Sequence, residues 1–170
     1  MGALTAFDLD AYNERTRNGP CFICSMLDGI PGYEHRVVLD DGLHVAFLDR
    51  YPTLPGKVLV APRAHVEDTI GGFSTDQYLA LQRTVHRVAT ALKAAVPTER
   101  VYVLSLGSMQ GNSHVHWHVA ALPPGVPYEQ QQFHALMTEG AGVLPDDPER
   151  DEGLAADLRT RLGGPDHRDT

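Results

Sequence analysis

The sequence predicts an α+β fold, a mainly antiparallel five-stranded sheet with one long helix and a shorter C-terminal helix. Three observations lead there. Short β-branched and aromatic runs are joined by hairpin-type turns instead of repeated helical crossovers. The segment 74–96 keeps an apolar stripe at helical spacing, and "HVHWHVAAL" alternates polar with large apolar residues as a strand does. A length of 170 residues suits one domain with a real core.

The elements follow in chain order. "FDLDAYNERTRNG" reads as a short helix ended by Asn18-Gly19, a pair that favours left-handed backbone. Arg36 to Leu39 and Leu43 to Asp49 read as antiparallel strands around the turn Asp40-Asp41-Gly42. "YPTLPG" breaks the ladder, and Lys57 to Pro62 follows as a third strand. From Ser74 to Val96 the chain reads as the long helix: Ser74 and Gln77 make a capping box, and Pro97 ends it. Arg100 to Gly107 is the fourth strand, and "HVHWHVAAL" is the fifth, entered through a Gly111-Asn112 turn. Tyr128 to Thr138 is helical in pattern, and a terminal helix is expected around Leu154 to Leu162.

A formal net charge of -8 and a pI near 5.5 exclude a general nucleic-acid binder, whose affinity comes from many cations neutralising phosphates. A small anionic ligand remains compatible if backbone amides or imidazoles hold it locally. No apolar run approaches bilayer length, so no membrane partner is expected. The first residues lack the basic-then-apolar order of a secretory signal, which places the protein in the cytoplasm as an expectation. In that reducing compartment the pair in "CFIC", Cys21 and Cys24, reads as a metal half-site or a redox motif, not a structural disulfide.

If 112–122 is a strand, alternation sends His114, His116 and His118 to one face and Val115, Trp117 and Val119 to the other. The apolar set belongs in the core. The histidines, about 7 Å apart by strand rise, would then line a groove facing a common ligand. Imidazole serves there as metal ligand, nucleophile or general acid near neutral pH. A purely metal-ligating site would also want a nearby carboxylate, which this strand does not supply.

"HVHWHVA" resembles the His-φ-His-φ-His-φ-φ signature (φ apolar) of the histidine triad (HIT) superfamily of nucleotide hydrolases and transferases. The likeness extends upstream through "HVAFLDRYPTLPGKVLVAPRAHVED", and "CFIC" is similar to the cysteine pair of zinc-containing bacterial members. It runs from about Cys21 to Pro124. The resemblance implies residues 1–20 as an N-terminal extension, 21–139 as the HIT domain and 140–170 as a partly flexible C-terminal appendage.

The resemblance also assigns roles. His116 is the expected nucleophile toward an α-phosphate, giving a nucleotidyl-histidine, and His118 is expected to contact the phosphate and leaving group, its protonated ring neutralising charge or donating a proton. Asp49 is expected to accept hydrogen bonds from ribose hydroxyls, its alternative being a strand-end turn residue. Phe22, Ile23 and Met26 either wall the base or are plain core. Cys21, Cys24, His65 and His114 form the implied Cys2His2 set for a structural zinc, closed to water and outside the chemistry.

Two departures from the family pattern bear on substrate. Lys57 stands where many relatives carry histidine, and is read as a solvated strand-start residue in preference to a phosphate contact. "GSMQGNSH" leaves Gln110, Asn112 and Ser113 as candidate phosphate donors, out of the usual register. The expected activity is hydrolysis or transfer of a nucleotidyl group, with adenosine the implied nucleoside, on dinucleoside polyphosphates, phosphoramidates or similar anhydrides. The implied assembly is a homodimer. The alternative is a nucleotide-binding sensor or scaffold with little turnover, which an intact nucleophile disfavours.

Overall fold

The computed structural model describes residues 4–105, 113–132 and 142–163. Helices α1 (Leu9–Asn18) and α2 (Phe22–Leu27) precede strands β1 (Val37–Asp40), β2 (His44–Leu48) and β3 (Val58–Pro62). Helix α3 (Thr75–Ala95), strands β4 (Arg100–Leu104) and β5 (Trp117–Leu122), a 3-10 turn (Tyr128–Gln130) and helix α4 (Pro148–Gly163) follow. The five strands form one sheet in the order β1-β2-β3-β5-β4, every neighbouring pair antiparallel. The expected α+β architecture is therefore present. Among the described residues no helix is long and apolar enough to cross a membrane.

Both faces of the central strands are covered, so β2 and β3 are buried throughout instead of alternating with solvent. On one face α3 and α4 cover Ala46, Leu48, Val58, Val60, Val115, Trp117 and Val119. On the other, α2 lays Ile23 against Val45, Phe47, Leu59 and Ala61. Helix α2 is the element that the pattern did not announce. Six residues are too few to show a helical period, and its cap is the Cys21 thiol, which accepts from the Cys24 amide at 3.5 Å.

Helix α3 begins where the capping box places it: Ser74 Oγ accepts from the Gln77 amide at 3.2 Å, and Gln77 Oε1 accepts from the Ser74 amide at 2.8 Å. Ser74→Ala is expected to cost about 1 kcal/mol, read as a lower urea midpoint at unchanged slope. Helix α4 is longer than its predicted span and is packed, not loosely held, because Ala155, Leu158 and Leu162 enter the main core. Gly56 leaves room for it: at φ +75° a Cβ there would come within 2.9 Å of the Leu154 side chain.

Strand β5 starts at Trp117, three residues later than expected, so only His118 of the three histidines lies in the paired ladder. The register explains this. Continuing the pairs Val58 with Val119 and Val60 with Trp117 would set Val115 opposite Pro62, which has no amide hydrogen to offer. The Val115 amide donates instead to the Val66 carbonyl at 2.7 Å. The inward-outward alternation survives, with Val115, Trp117 and Val119 in the core beneath α3. The predicted Gly111-Asn112 turn and the end of the predicted 128–138 helix lie outside the described residues.

Candidate active site and metal centre

His116 and His118 line a cleft of about 270 Å³ on the sheet face opposite α3, together with Phe22, Asp49, Leu59 and His35. Phe22 of α2 sits edge-on to the His116 ring at 5.8 Å between centroids, and the His116 and His118 rings lie 4.9 Å apart. His116 Nδ1 is 2.8 Å from the His114 carbonyl oxygen. A carbonyl only accepts, so Nδ1 carries the hydrogen and the neutral ring keeps its lone pair on Nε2. Burial lowers the His116 pKa from its ordinary value, which keeps that lone pair available at pH 7.

His118 shares the cleft and is the more strongly perturbed ring. Burial, then Lys57 and His116, push its pKa down to about 3, so the ring is neutral in the ligand-free protein. Its Nδ1 is buried without a hydrogen-bond partner among the described residues. Lys57 departs from expectation. It is buried, 7% exposed, and its Nζ lies 3.1 Å from Asp49 Oδ2. The sheet brings them together, since the Asp49 amide donates to the Lys57 carbonyl at 2.8 Å as the β2–β3 ladder closes. Burial would raise the Asp49 pKa, but Lys57 and the Tyr51 amide outweigh it and the net shift is downward.

Both depressed groups give acid sensitivity of one sign. A histidine with its ordinary pKa near 6.5 when unfolded and about 3 when folded binds more protons in the unfolded chain between those values. Its contribution is intact above about pH 6.5 and is lost as pH falls toward 3, and Asp49 adds to the loss below about pH 4. The thermal midpoint is expected to be flat from pH 8 to 7 and to drop on acidification. The drop between pH 6 and 4 should be shallower in His118→Gln.

Cys21, Cys24, His65 and His114 place one ligand atom each within 4.8 Å of one another, a cluster capable of holding a metal ion. His114 Nδ1 is 3.5 and 3.6 Å from the Cys21 and Cys24 sulfurs, and His65 Nδ1 is 3.3 Å from Cys24 Sγ. Tetrahedral zinc with ordinary bond lengths requires sulfur-to-nitrogen edges of about 3.6 Å. Each ring is tied from behind: His114 Nε2 donates to the Pro62 carbonyl at 2.8 Å and His65 Nε2 to Glu67 Oε1 at 3.0 Å, which leaves both Nδ1 lone pairs facing the sulfurs. Burial and the adjoining Cys21 push the Cys24 thiol up to about 11.

The remaining candidates divide. Ile23 is fully buried in the core cluster beneath α2 and Met26 packs against that cluster; neither lines the cleft, whereas Phe22 does. Ser113 lies beside Glu67 at the Cys2His2 end of the site, where, after His65, it helps hold the Glu67 carboxyl below its ordinary pKa. Gln110 and Asn112 fall outside the described residues. The cleft also gains residues that the sequence did not single out: Tyr12, Arg15 and Thr16 from α1, and Tyr33, Arg50 and Tyr51.

Comparison with known proteins agrees with this geometry. The family model described as HIT domain matches residues 32–124, more than half of the chain. An uncharacterized HIT-like protein of Saccharolobus solfataricus, SSO2163, is 32% identical over 103 residues, covering 58% of this chain and 71% of the relative. The HIT-like protein MG132 of Mycoplasma genitalium is 30% identical over 115 residues, 65% of this chain and 77% of the relative. The crystal structure of the hypothetical histidine triad nucleotide-binding protein ST2152 from Sulfolobus tokodaii superposes with a TM-score of 0.66 at 24% identity, covering 84% and 92% of the two chains. A Zn-bound histidine triad family protein from Mycobacterium smegmatis gives 0.63 at 20% identity, covering 84% and 93%. Both structures share the fold. With its alternating histidines beside a cleft and a matching family model over 32–124, the chain belongs to the HIT domain family.

Proposed function

We propose that the protein is a nucleotidyl hydrolase or transferase that works through a covalent nucleotidyl-histidine on His116. The observation that carries this reading is the 2.8 Å contact from His116 Nδ1 to the His114 carbonyl, which leaves Nε2 as a neutral nucleophile on a ring lining the cleft. In the first step Nε2 forms a bond to the α-phosphorus as the bond from phosphorus to the leaving oxygen or nitrogen breaks. In the second, water attacks the same phosphorus and the N–P bond breaks, releasing the nucleoside monophosphate, or another acceptor attacks and leaves bearing the nucleotidyl group. His118, neutral and with Nδ1 lacking a partner, contacts the phosphate and leaving group. Asp49 spends two of its acceptor positions on Lys57 and the Tyr51 amide, which leaves lone pairs for ribose hydroxyls. Dinucleoside polyphosphates and nucleoside phosphoramidates fit as substrates.

Zinc is the proposed metal of the Cys2His2 set, supported by its ligand types, its edge lengths and the zinc reported for the Mycobacterium smegmatis relative. With four protein ligands the ion would serve structure, and its residues Cys21, Cys24, His65 and His114 would tie α2 and the loop after β3 to the approach of β5. A cytoplasmic homodimer is the proposed setting; β4, an edge strand with Val103 47% exposed, is open to pairing. Intact-mass and peptide-level mass spectrometry after brief mixing with a panel of dinucleoside tetraphosphates and nucleoside phosphoramidates carrying adenine or guanine tests the chemistry. An adduct of nucleoside monophosphate mass is expected on His116. A zinc-loaded, folded protein that never acquires it with any substrate of the panel would refute the proposal.

A further inference from the structure

Helix α1 lies outside the family match at 32–124, yet it builds one wall of the cleft through Tyr12, Arg15 and Thr16. Aromatic packing holds it there: Phe7, Tyr12 and Tyr51 meet pairwise at centroid distances of 4.9 to 5.7 Å. Arg15 Nη2 donates to the Tyr51 hydroxyl at 3.4 Å. Arg50 lies at the same end, its Nη1 donating to the Gly32 carbonyl at 2.8 Å and its Cζ 6.0 Å from the Tyr51 ring centre. Asp49 is the one carboxylate lining the cleft among the described residues, and Lys57 pairs with it. The carboxylate nearest in effect to Arg50 is the exposed Glu34, whose pKa the Arg50 charge helps to lower, and Arg15 makes no ion pair among the described residues. In a chain of net charge -8, this end of the cleft is a local cationic, donor-rich exception.

The order of groups along the cleft decides what these guanidiniums meet. His116 and His118 mark the phosphorus, and Asp49 marks the ribose. Next to Asp49 in the cleft stand the Tyr51 amide that donates to it, Arg50, and Arg15, whose guanidinium donates to the Tyr51 hydroxyl, so a base continuing from the ribose meets these groups. A guanidinium offers N–H donors only, in a fork that matches two adjacent acceptors. Guanine and hypoxanthine present such a pair, O6 and N7; adenine carries an amino donor in place of O6. We propose that Arg15, with Arg50, selects 6-oxopurine nucleotides over adenine nucleotides. The inference rests on the nucleotidyl reading of the site and replaces the adenosine that the family resemblance implies.

Isothermal titration of the full chain with GMP, IMP, AMP and 7-deaza-GMP tests it. GMP and IMP are expected to bind about tenfold or more tightly than AMP, the discrimination typical of one bidentate contact. The 7-deaza analogue, which lacks the N7 acceptor, should lose most of that advantage. Arg15 is exposed on α1, so Arg15→Ala and Arg15→Lys leave the fold intact; each is expected to bring GMP down toward the AMP value. Equal affinity of the wild type for GMP and AMP would overturn the base assignment alone. So would equal weakening of both by Arg15→Ala, which would put Arg15 on the phosphate. Absence of binding by all of these nucleotides would bring down the nucleotidyl reading as well.

Discussion

Replacing His116 by alanine is expected to lower turnover of a nucleotidyl substrate by about 1,000-fold or more and to remove the covalent adduct altogether. The size of the loss follows from the ring's position. On the proposed route the attacking atom is Nε2 of His116, on a ring whose opposite nitrogen is fixed by its hydrogen bond to the His114 carbonyl and whose pKa burial lowers. His118→Ala is expected to act differently. With the nucleophile present the adduct still forms, and turnover falls by about 100-fold, the scale of one lost contact to the reacting phosphate. Steady-state kinetics and mass spectrometry on the same preparations separate the two. A His116→Ala protein retaining a tenth of wild-type turnover would be incompatible with the covalent route.

Loss of the metal site has the second largest expected effect, this time on folding. Cys24→Ser is expected to abolish stoichiometric zinc and to cost about 3 kcal/mol or more, because structural zinc contributes folding free energy directly and whole domains hold only about 5–15 kcal/mol. The cluster joins segments that are far apart in the chain, from Cys21 to His114, so its loss releases α2 and the approach to β5 together. Elemental analysis should find one zinc per wild-type chain and none in the variant, with a lower thermal midpoint. Chelators should reduce turnover only as far as they unfold the protein. Activity that vanishes on chelation while the far-ultraviolet dichroism is unchanged would assign the metal to catalysis instead.

How far the sequence carried can be judged from particular residues. Helix α3 was legible because twenty-one residues of periodic pattern and a capping box are local signals. The start of β5 was not, because it depends on Pro62 falling opposite Val115 through a pairing made fifty residues away. The Cys2His2 set came from the family resemblance, and the structure brings all four side chains together. Phe22 and Ile23 were indistinguishable in sequence; a helix turns consecutive side chains about 100° apart, so one faces the cleft and its neighbour the core. Lys57 was misread because a lysine after Pro-Gly ordinarily points to water, and only the β2–β3 ladder reveals Asp49 beside it. Arg15 and Tyr12 gave no local signal. Their one hint was an aromatic residue on a largely polar helix, whose partner Tyr51 lies far along the chain.

His114 carries two connections at once. Its ring faces the paired sulfurs, and its carbonyl oxygen holds the proton of the His116 ring. One residue thus links the Cys2His2 cluster to the ring proposed as nucleophile, through its own side chain on one side and its carbonyl on the other. If the cluster holds zinc, exchanging it for the larger cadmium should therefore nudge the aim of the ring's attacking nitrogen, while cobalt, of nearly the same size, should leave it in place. The exchange offers a way to tune the geometry of attack without altering any residue in the cleft.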